Sequence, residues 1–452
     1  METRGAVGAV VNLGPPHPSK HARTLLVRII RTDQERNAAT EVEQLAYFQP
    51  PITLPFHSHG EMNTRPVLDS DKGPFALSAS FNADNSCFSI ALESGFRVYS
   101  SKSGDQKVAR EVGGGIGCAE MLGTTRYIAL VGGGKQPKFP QNKVCPEDSS
   151  WHLLSHTDIT YEVQIWNDAT QQVSTSLEFK TPIQRVRLSQ THLIVVLLNK
   201  VGIYKMKMPP EKVADYETIN NPFGLCELGK NTVAFPGRAV GQVKLFDLTT
   251  HNVSIIPAHE SPLRALALSQ NDSQVATASE QGTLIRLWSF PSCTKLSELR
   301  RGVDPAAIFS LAFSPSATTL AVTSDKSTLH IFDIAQPSTQ PPDPKDHKWK
   351  LLSKVPLLPR QFSDTYSNCS AKFEMGDEPA NFGPAARSAT LNAGIPGVPG
   401  GRPTKGLLGW LDDQTLLIIG AGQDARWEKF NVGFDDAGKR AVVRDGWRRY
   451  LD

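Results

Sequence analysis

Short strands that end in an aromatic residue recur along this chain, and their spacing constrains the fold more than any other feature. They read Phe96-Arg97-Val98-Tyr99, Val163-Gln164-Ile165-Trp166, Val201-Gly202-Ile203-Tyr204, Val243-Lys244-Leu245-Phe246, Ile285-Arg286-Leu287-Trp288 and Leu329-His330-Ile331-Phe332. From Trp166 onward the terminal aromatics are separated by 38, 42, 42 and 44 residues, close to the roughly 40 to 45 residues that one four-stranded propeller blade consumes. Helical periodicity is nearly absent. The segments between anchors read as strand and turn, as in Val275-Ala276-Thr277-Ala278 followed by Glu280-Gln281-Gly282-Thr283, where β-branched residues suit the pleat and glycine supplies the turn.

A seventh anchor, Arg426-Trp427-Glu428-Lys429-Phe430, lies about two periods beyond Phe332. The interval holds a Pro/Gly-rich stretch, about 375–406, that reads as a loop insertion in the seventh blade. The first interval, Tyr99 to Trp166, exceeds one period by roughly 25 residues. Residues 1–73, with Pro15-Pro16 and Pro50-Pro51 and no blade pattern, read as a flexible N-terminal extension. The expectation is an all-β fold: a seven-bladed β-propeller of the WD-repeat type over residues 74–452, one domain with insertions at about 145–163 and 375–406.

Composition narrows the function. A chain of 452 residues is long enough for two or three average domains, but a propeller uses such a length for one. With 48 basic against 45 acidic residues the net charge is +3, far from that of a surface built to track nucleic acid, so any basic site is local. The cysteines at 87, 118, 145, 226, 293 and 369 form no C-x-x-C pair; neither a zinc ribbon nor a disulfide framework follows, and reduced thiols in the cytosol are expected. No apolar run approaches the roughly 18 residues that span a bilayer, and the Gly-interrupted stretch from Gly5 to Leu13 is too weak for a signal-peptide core.

Catalytic chemistry has no candidate. Gly132-Gly133-Gly134-Lys135 is followed by Gln136-Pro137 rather than by the Ser or Thr and helix of a P-loop. His152 and His156 lack the Glu of a zinc-protease helix. No nucleophile-His-acid or paired-carboxylate constellation rises above chance. No enzyme activity, metal or cofactor is expected.

Leu299-Arg300-Arg301-Gly302, between the fifth and sixth anchors, resembles the Phe/Leu-Arg-Arg-Gly signature of the PROPPIN family, propellers that bind polyphosphoinositides. Ala258-His259, Ala278-Ser279-Glu280-Gln281-Gly282-Thr283-Leu284-Ile285-Arg286 and Ser324-Asp325-Lys326-Ser327-Thr328-Leu329-His330-Ile331-Phe332 follow in the family's order, as its fifth and sixth blades. The glycine-rich run from Val131 to Val144 resembles its second blade. The Leu299 spelling and Asn82-Ala83-Asp84 favour the branch of shorter-looped autophagy propellers and their fungal homologues. The resemblance covers about 75–374 and returns weakly near 407–432. Two departures stand out. Related sequences run directly from Asn-Lys-Val into an Ile-Trp-Asp strand, whereas here residues 145–163 intervene before Gln164-Ile165-Trp166-Asn167-Asp168; a retained intron fits, because Val144-Cys145 can be encoded by a GTATGT splice donor, and finding the segment in every mature transcript would exclude it. Ser327 stands where the family usually has Gly.

Successive strand residues point to opposite faces, so Arg300 and Arg301 suit two pockets rather than one. A lone Arg-Arg pair usually makes surface ion pairs; the Ser, Thr and His residues at matching offsets in both flanking blades favour phosphate sites, where the guanidinium fork donates paired, charge-assisted bonds. The resemblance implies one pocket of His259, Ser279, Gly282, Thr283, Arg286 and Arg300 and another of Arg301, Ser324, Thr328 and His330, with the histidines gaining charge as pH falls toward about 6.5. Arg264 is a further candidate for the first. The segment 333–359, with Lys345, Lys348, Trp349, Lys350, Leu351, Leu352 and Lys354, stands where the family has a membrane-inserting loop; the alternative is that 349–352 is a core strand of blade six.

The resemblance implies a cytosolic effector and scaffold that binds phosphatidylinositol 3-phosphate and phosphatidylinositol 3,5-bisphosphate, recruited to phagophore, endosomal and vacuolar membranes in autophagy and trafficking. It also implies recruitment of an autophagy lipid-transfer protein, with Asn82 and Asp84 as contacts, although Asn82-Ala83-Asp84-Asn85 equally suits a plain turn. A monomer that binds no nucleic acid is expected. The competing reading is an adaptor that binds proteins only.

Overall fold

The computed structural model describes residues 74–139, 160–334, 365–376, 394–395 and 397–451. The readings made of residues 1–73, of the His152 and His156 pair and of the basic-aromatic segment beyond residue 334 lie outside the described residues.

Seven sheets follow one another in chain order, each an antiparallel meander. Blade one is β1 (Ala76–Phe81), β2 (Cys87–Leu92), β3 (Gly95–Ser100) and β4 (Gln106–Glu111). Blade two is β5 (Ile116–Met121), β6 (Tyr127–Gly132), β7 (Tyr161–Asn167) and β8 (Gln172–Phe179). Blade three is β9 (Ile183–Leu188), β10 (His192–Leu197), β11 (Lys200–Lys205) and β12 (Glu211–Glu217), and blade four is β13 (Glu227–Leu228), β14 (Thr232–Pro236), β15 (Gln242–Asp247) and β16 (Val253–Pro257). Blade five is β17 (Leu263–Leu268), β18 (Gln274–Ser279), β19 (Leu284–Ser289) and β20 (Lys295–Arg300), with β24 (Thr365–Tyr366) added parallel to β20. Blade six is β21 (Ile308–Phe313), β22 (Thr319–Ser324), β23 (Thr328–Asp333) and β25 (Cys369–Lys372); blade seven is β26 (Leu407–Trp410), β27 (Thr415–Gly420), β28 (Arg426–Phe434) and β29 (Arg440–Arg449).

All seven aromatic anchors of the sequence fall on third strands, one per blade. They recur because each blade buries both faces against its neighbours, so the core is a set of seams rather than one centre. Leu245 of blade four packs with Val275 of blade five in one cluster, while Ile285 and Leu299 of blade five pack with Val322 and Phe332 of blade six in the next. Phe246 and Phe332 are almost fully buried; truncating such a side chain to Ala costs about 3–5 kcal/mol.

Blades one and seven are each complete within their own stretch of chain, so side chains and a short backbone contact close the ring. Ala76 and Gly422 exchange backbone hydrogen bonds of 3.2 and 2.8 Å, and Trp427 Nε1 donates to the Ser101 carbonyl at 2.9 Å.

Two details correct the sequence reading. Tyr161–Val163 already belong to β7, paired with Leu177–Phe179, so the interruption before it ends short of 163. The Pro/Gly-rich stretch is the connection between blades six and seven, and its described end packs inward: Ile395 and Val398 are buried with Phe75 and Leu77. Among the described residues the strand that follows β23 in blade six is β25.

Candidate functional site

The register of blade five decides where the two arginines point. Arg286 stands opposite Glu298, and Arg300 opposite Leu284, across β19 and β20; Thr277 stands opposite Arg286 across β18 and β19. Alternation therefore places Thr277, Ser279, Arg286, Glu298 and Arg300 on one face of the sheet. Val275 and Trp288, on that face, pack against blade four, whereas Leu299, on the other, packs against blade six. Arg300 thus faces blade four and Arg301 faces blade six, as the adjacent positions imply.

On the blade-four side a hydrogen-bond relay runs through one hydroxyl. Thr277 Oγ1 accepts from Trp288 Nε1 (3.2 Å), donates to the Arg286 carbonyl (3.3 Å) and lies 2.9 Å from His259 Nε2. Arg286 donates to the Ala258 carbonyl at 2.6 Å and to Glu298 Oε2 at 2.8 Å. Against the upward push of burial, the Arg286 bond and charge hold the Glu298 carboxyl below its ordinary range. Burial first, and the Arg286 charge second, lower the His259 pKa to about 4.

On the blade-six side, Arg301 is buried. Its Nε donates to the Gly282 carbonyl at 2.8 Å, and a terminal nitrogen donates to the Asp304 carbonyl. Ser324 stands opposite Thr328, and their hydroxyls are 3.3 Å apart; His330 Nδ1 lies 3.1 Å from Ser367 Oγ. Lys372 of β25 stands opposite Thr328 and donates to the Lys326 carbonyl at 3.3 Å. Burial, then the charges of Arg301 and Lys372, lower the His330 pKa to about 4.

Several expectations change. Both histidines are neutral well below pH 6.5 in the ligand-free protein, because burial and neighbouring cations oppose protonation. Gly282 and Thr283, assigned to the Arg300 pocket, bind Arg301 through their carbonyls: the Arg301 amide donates to Thr283 at 2.9 Å. Gly282 has φ of +61°, and a Cβ there would meet the Ala306 carbonyl oxygen at 1.8 Å. Arg264 is not beside His259. It stands at the register break between Leu263 and Ala265 in β17, its guanidinium 3.8 Å above the Phe223 ring in an interior cavity. Burial, above all, lowers its pKa to about 10.

Asn82 is buried within its turn, accepting from the Cys87 amide (3.0 Å) and donating to Ser86 Oγ (3.0 Å), while Asp84 is exposed and accepts from Ser86. The glycine-rich end of β6 already faces an anion: the Lys135 amide donates to Glu93 at 2.9 Å. Glu298, Thr277, Ser367 and Lys372 escaped the sequence reading. Of these Glu298 carried a signal, since a hairpin joining Arg286 to Arg300 puts it across from Arg286.

The PROPPIN family model matches residues 149–371, a span that contains both arginines and both flanking faces. The chain is 48% identical over 340 residues to SVP1-like protein 2 of Emericella nidulans, an alignment covering 73% of this chain and 99% of the relative. It is 38% identical over 447 residues to SVP1-like protein 2 of Neurospora crassa, covering 86% and 99%. Among solved structures, Hsv2 of Kluyveromyces lactis superposes with a TM-score of 0.62 at 21% identity, covering 83% of this chain and 99% of that one; a complex of KlAtg21 with the coiled-coil of AgAtg16 superposes at 0.55 and 17% identity, with the same coverage.

Proposed function

The chain belongs to the PROPPIN family, the phosphoinositide-binding propellers of autophagy, and we propose that it reads 3-phosphorylated headgroups through the two faces of blade five. The observation that carries this reading is the placement of Arg300 and Arg301 on opposite faces of one outer strand, each looking onto its own group of hydroxyl and imidazole side chains. The first pocket uses His259, Ser279, Arg286 and Arg300; the second uses Arg301, Ser324, Thr328, His330 and Lys372. Gly282 and Thr283 hold the turn that fastens Arg301. The headgroups are those of phosphatidylinositol 3-phosphate and phosphatidylinositol 3,5-bisphosphate, whose phosphates suit guanidinium donors with hydroxyl support.

Two shallow sites facing one bilayer give avidity, because the second headgroup is met at high effective concentration once the first is held. The basic-aromatic segment 333–359 adds interfacial anchoring, each Lys near an anionic surface contributing about 1 kcal/mol. Among the described residues no helix is long and apolar enough to cross a membrane, which suits peripheral recruitment to phagophore, endosomal and vacuolar membranes. There the propeller acts as effector and scaffold, offering the rim around the exposed Asp84 to a lipid-transfer protein. The working propeller is assigned to residues 74–452.

Co-sedimentation with liposomes containing or lacking each lipid, at fixed salt, tests this. Binding that depends on the 3-phosphorylated lipid and disappears in the Arg300→Thr, Arg301→Thr double variant is expected. Equal binding by both proteins, or none by either, moves the function to an adaptor that binds proteins only.

A further inference from the structure

A cavity of about 420 Å³ lies inside the ring, walled by the inner strands of blades three to seven and by the connection around Pro399–Lys405. Its lining is strongly cationic: Arg185, Arg187, Arg264, Arg402 and Lys405 against the carboxylates Glu227 and Asp325. Arg187 is neutralised, with bonds of 3.2 Å to Glu120 and 3.1 Å to Glu227. Arg185 is not. Among the described residues its Nε is buried without a hydrogen-bond partner, and its one bond is a long 3.4 Å contact to the Phe223 carbonyl. The Arg264 guanidinium rests on the Phe223 ring at 3.8 Å, and no hydrogen bond to it is present among the described residues. Asp325 Oδ1 is also buried without a partner.

Buried guanidinium groups with unused donors are costly unless a counter-charge meets them, since desolvation of each ion amounts to several kcal/mol. Arg185 of blade three and Arg264 of blade five share the Phe223 wall, beside the unpartnered Asp325 oxygen. We propose that this channel cavity binds a small polyphosphorylated anion, held by Arg185 and Arg264 and distinct from the two blade-five pockets. A phosphate that keeps one proton can donate it to Asp325 Oδ1, and the volume falls in the range of small-ligand sites, about 300–1,000 Å³. The apolar part of the lining, Phe223 and Phe309 among it, leaves room for a ring or chain that carries the phosphates.

Isothermal titration of the full chain carrying Arg300→Thr and Arg301→Thr, with inositol hexakisphosphate and with inorganic pyrophosphate, isolates the channel from the outer pockets. One equivalent bound, with affinity falling tenfold or more when Arg185→Gln and Arg264→Gln are added, is expected. No binding of either probe, or equal affinity in the channel variant, overturns the proposal. Glycerophosphoinositol 3-phosphate as a third probe separates a lipid headgroup from a free phosphate compound as the natural source. A second readout uses the otherwise unaltered chain. Arg264→Met should diminish the Tm rise that pyrophosphate produces. A pyrophosphate-dependent Tm rise that is undiminished in Arg264→Met would overturn the site.

Discussion

The two faces of blade five present their arginines in different states. Facing blade four, Arg286 is engaged by a carboxylate, Glu298, with both side chains partly exposed. Facing blade six, Arg301 is buried and tied to two backbone carbonyls, those of Gly282 and Asp304. A carboxylate occupies donors that a phosphate needs, so the first face is held in a self-neutralised state from which Glu298 must be displaced. Carbonyls orient a guanidinium without cancelling its charge, so the second face is set in advance. The same residue type thus gives one pocket that is gated and one that is preorganised.

Removing each arginine separately should divide the pair, and this is the largest effect expected. Arg301→Thr takes away two charge-assisted bonds, each contributing on the order of 1.5–3 kcal/mol, so it should lower both liposome affinity, by roughly 10- to 100-fold, and the Tm. Arg300→Thr should lower affinity by about tenfold while leaving the Tm near that of the parent, because its strand keeps its ladder. Thermal melts beside co-sedimentation check this. Equal Tm values in the two variants would erase the distinction between the buried arginine tied to backbone carbonyls and the partly exposed one.

Much of this arrangement is legible in the sequence because it depends on period-two alternation. The third-strand aromatics recur near every 42 residues since each blade repeats one set of strand and turn lengths, and adjacent Arg300 and Arg301 must diverge in any extended strand. What escaped depends on where each strand sits in the ring. Arg264 was a candidate for the Arg300 pocket, but it stands at the start of the first strand of blade five and lines the channel; the same register break recurs in the first strands of blades one, two and six, and nothing in the local composition announces it. Lys372 escaped because the fourth strand of blade six begins more than thirty residues after the third ends, which hides its pairing with Thr328. The histidine protonation expected near pH 6.5 failed because burial and the neighbouring cations depend on which blades meet.

The gate can be opened directly. Glu298→Gln keeps the shape of the side chain and removes the charge that holds Arg286. Because the pair is half-exposed, its own contribution to stability is small, and the Tm should barely move. Liposome affinity should rise by about fivefold, and the gain should vanish when Arg300→Thr is added, since both act on the same face. A loss of affinity on Glu298→Gln would mean that the carboxylate positions Arg286 for the phosphate rather than competing with it.

Proton uptake gives the finest test, because both faces hold a histidine whose ligand-free pKa is lowered to about 4. The Thr277 hydroxyl has a single proton; with that proton on the Arg286 carbonyl, His259 Nε2 carries the hydrogen that reaches Thr277 and Nδ1 is left bare. A phosphate beside a bare nitrogen favours its protonation, so binding raises the histidine pKa and takes up protons. Affinity should then increase two- to threefold per unit as pH falls from 7.5 to about 6.5, below which the phosphate, with its second pKa near 6, itself loses charge. Without lipid the sign reverses. Between about pH 6.5 and 4 the unfolded chain binds protons that the folded histidines refuse, so stability is present above 6.5 and declines as pH falls toward 4. Vesicle titrations in buffers of different ionisation enthalpy measure the protons taken up. If the uptake disappears with His259→Gln, the gated face supplies it; if only His330→Gln abolishes it, the preorganised face does; and if binding takes up no protons at all, neither imidazole meets the phosphate.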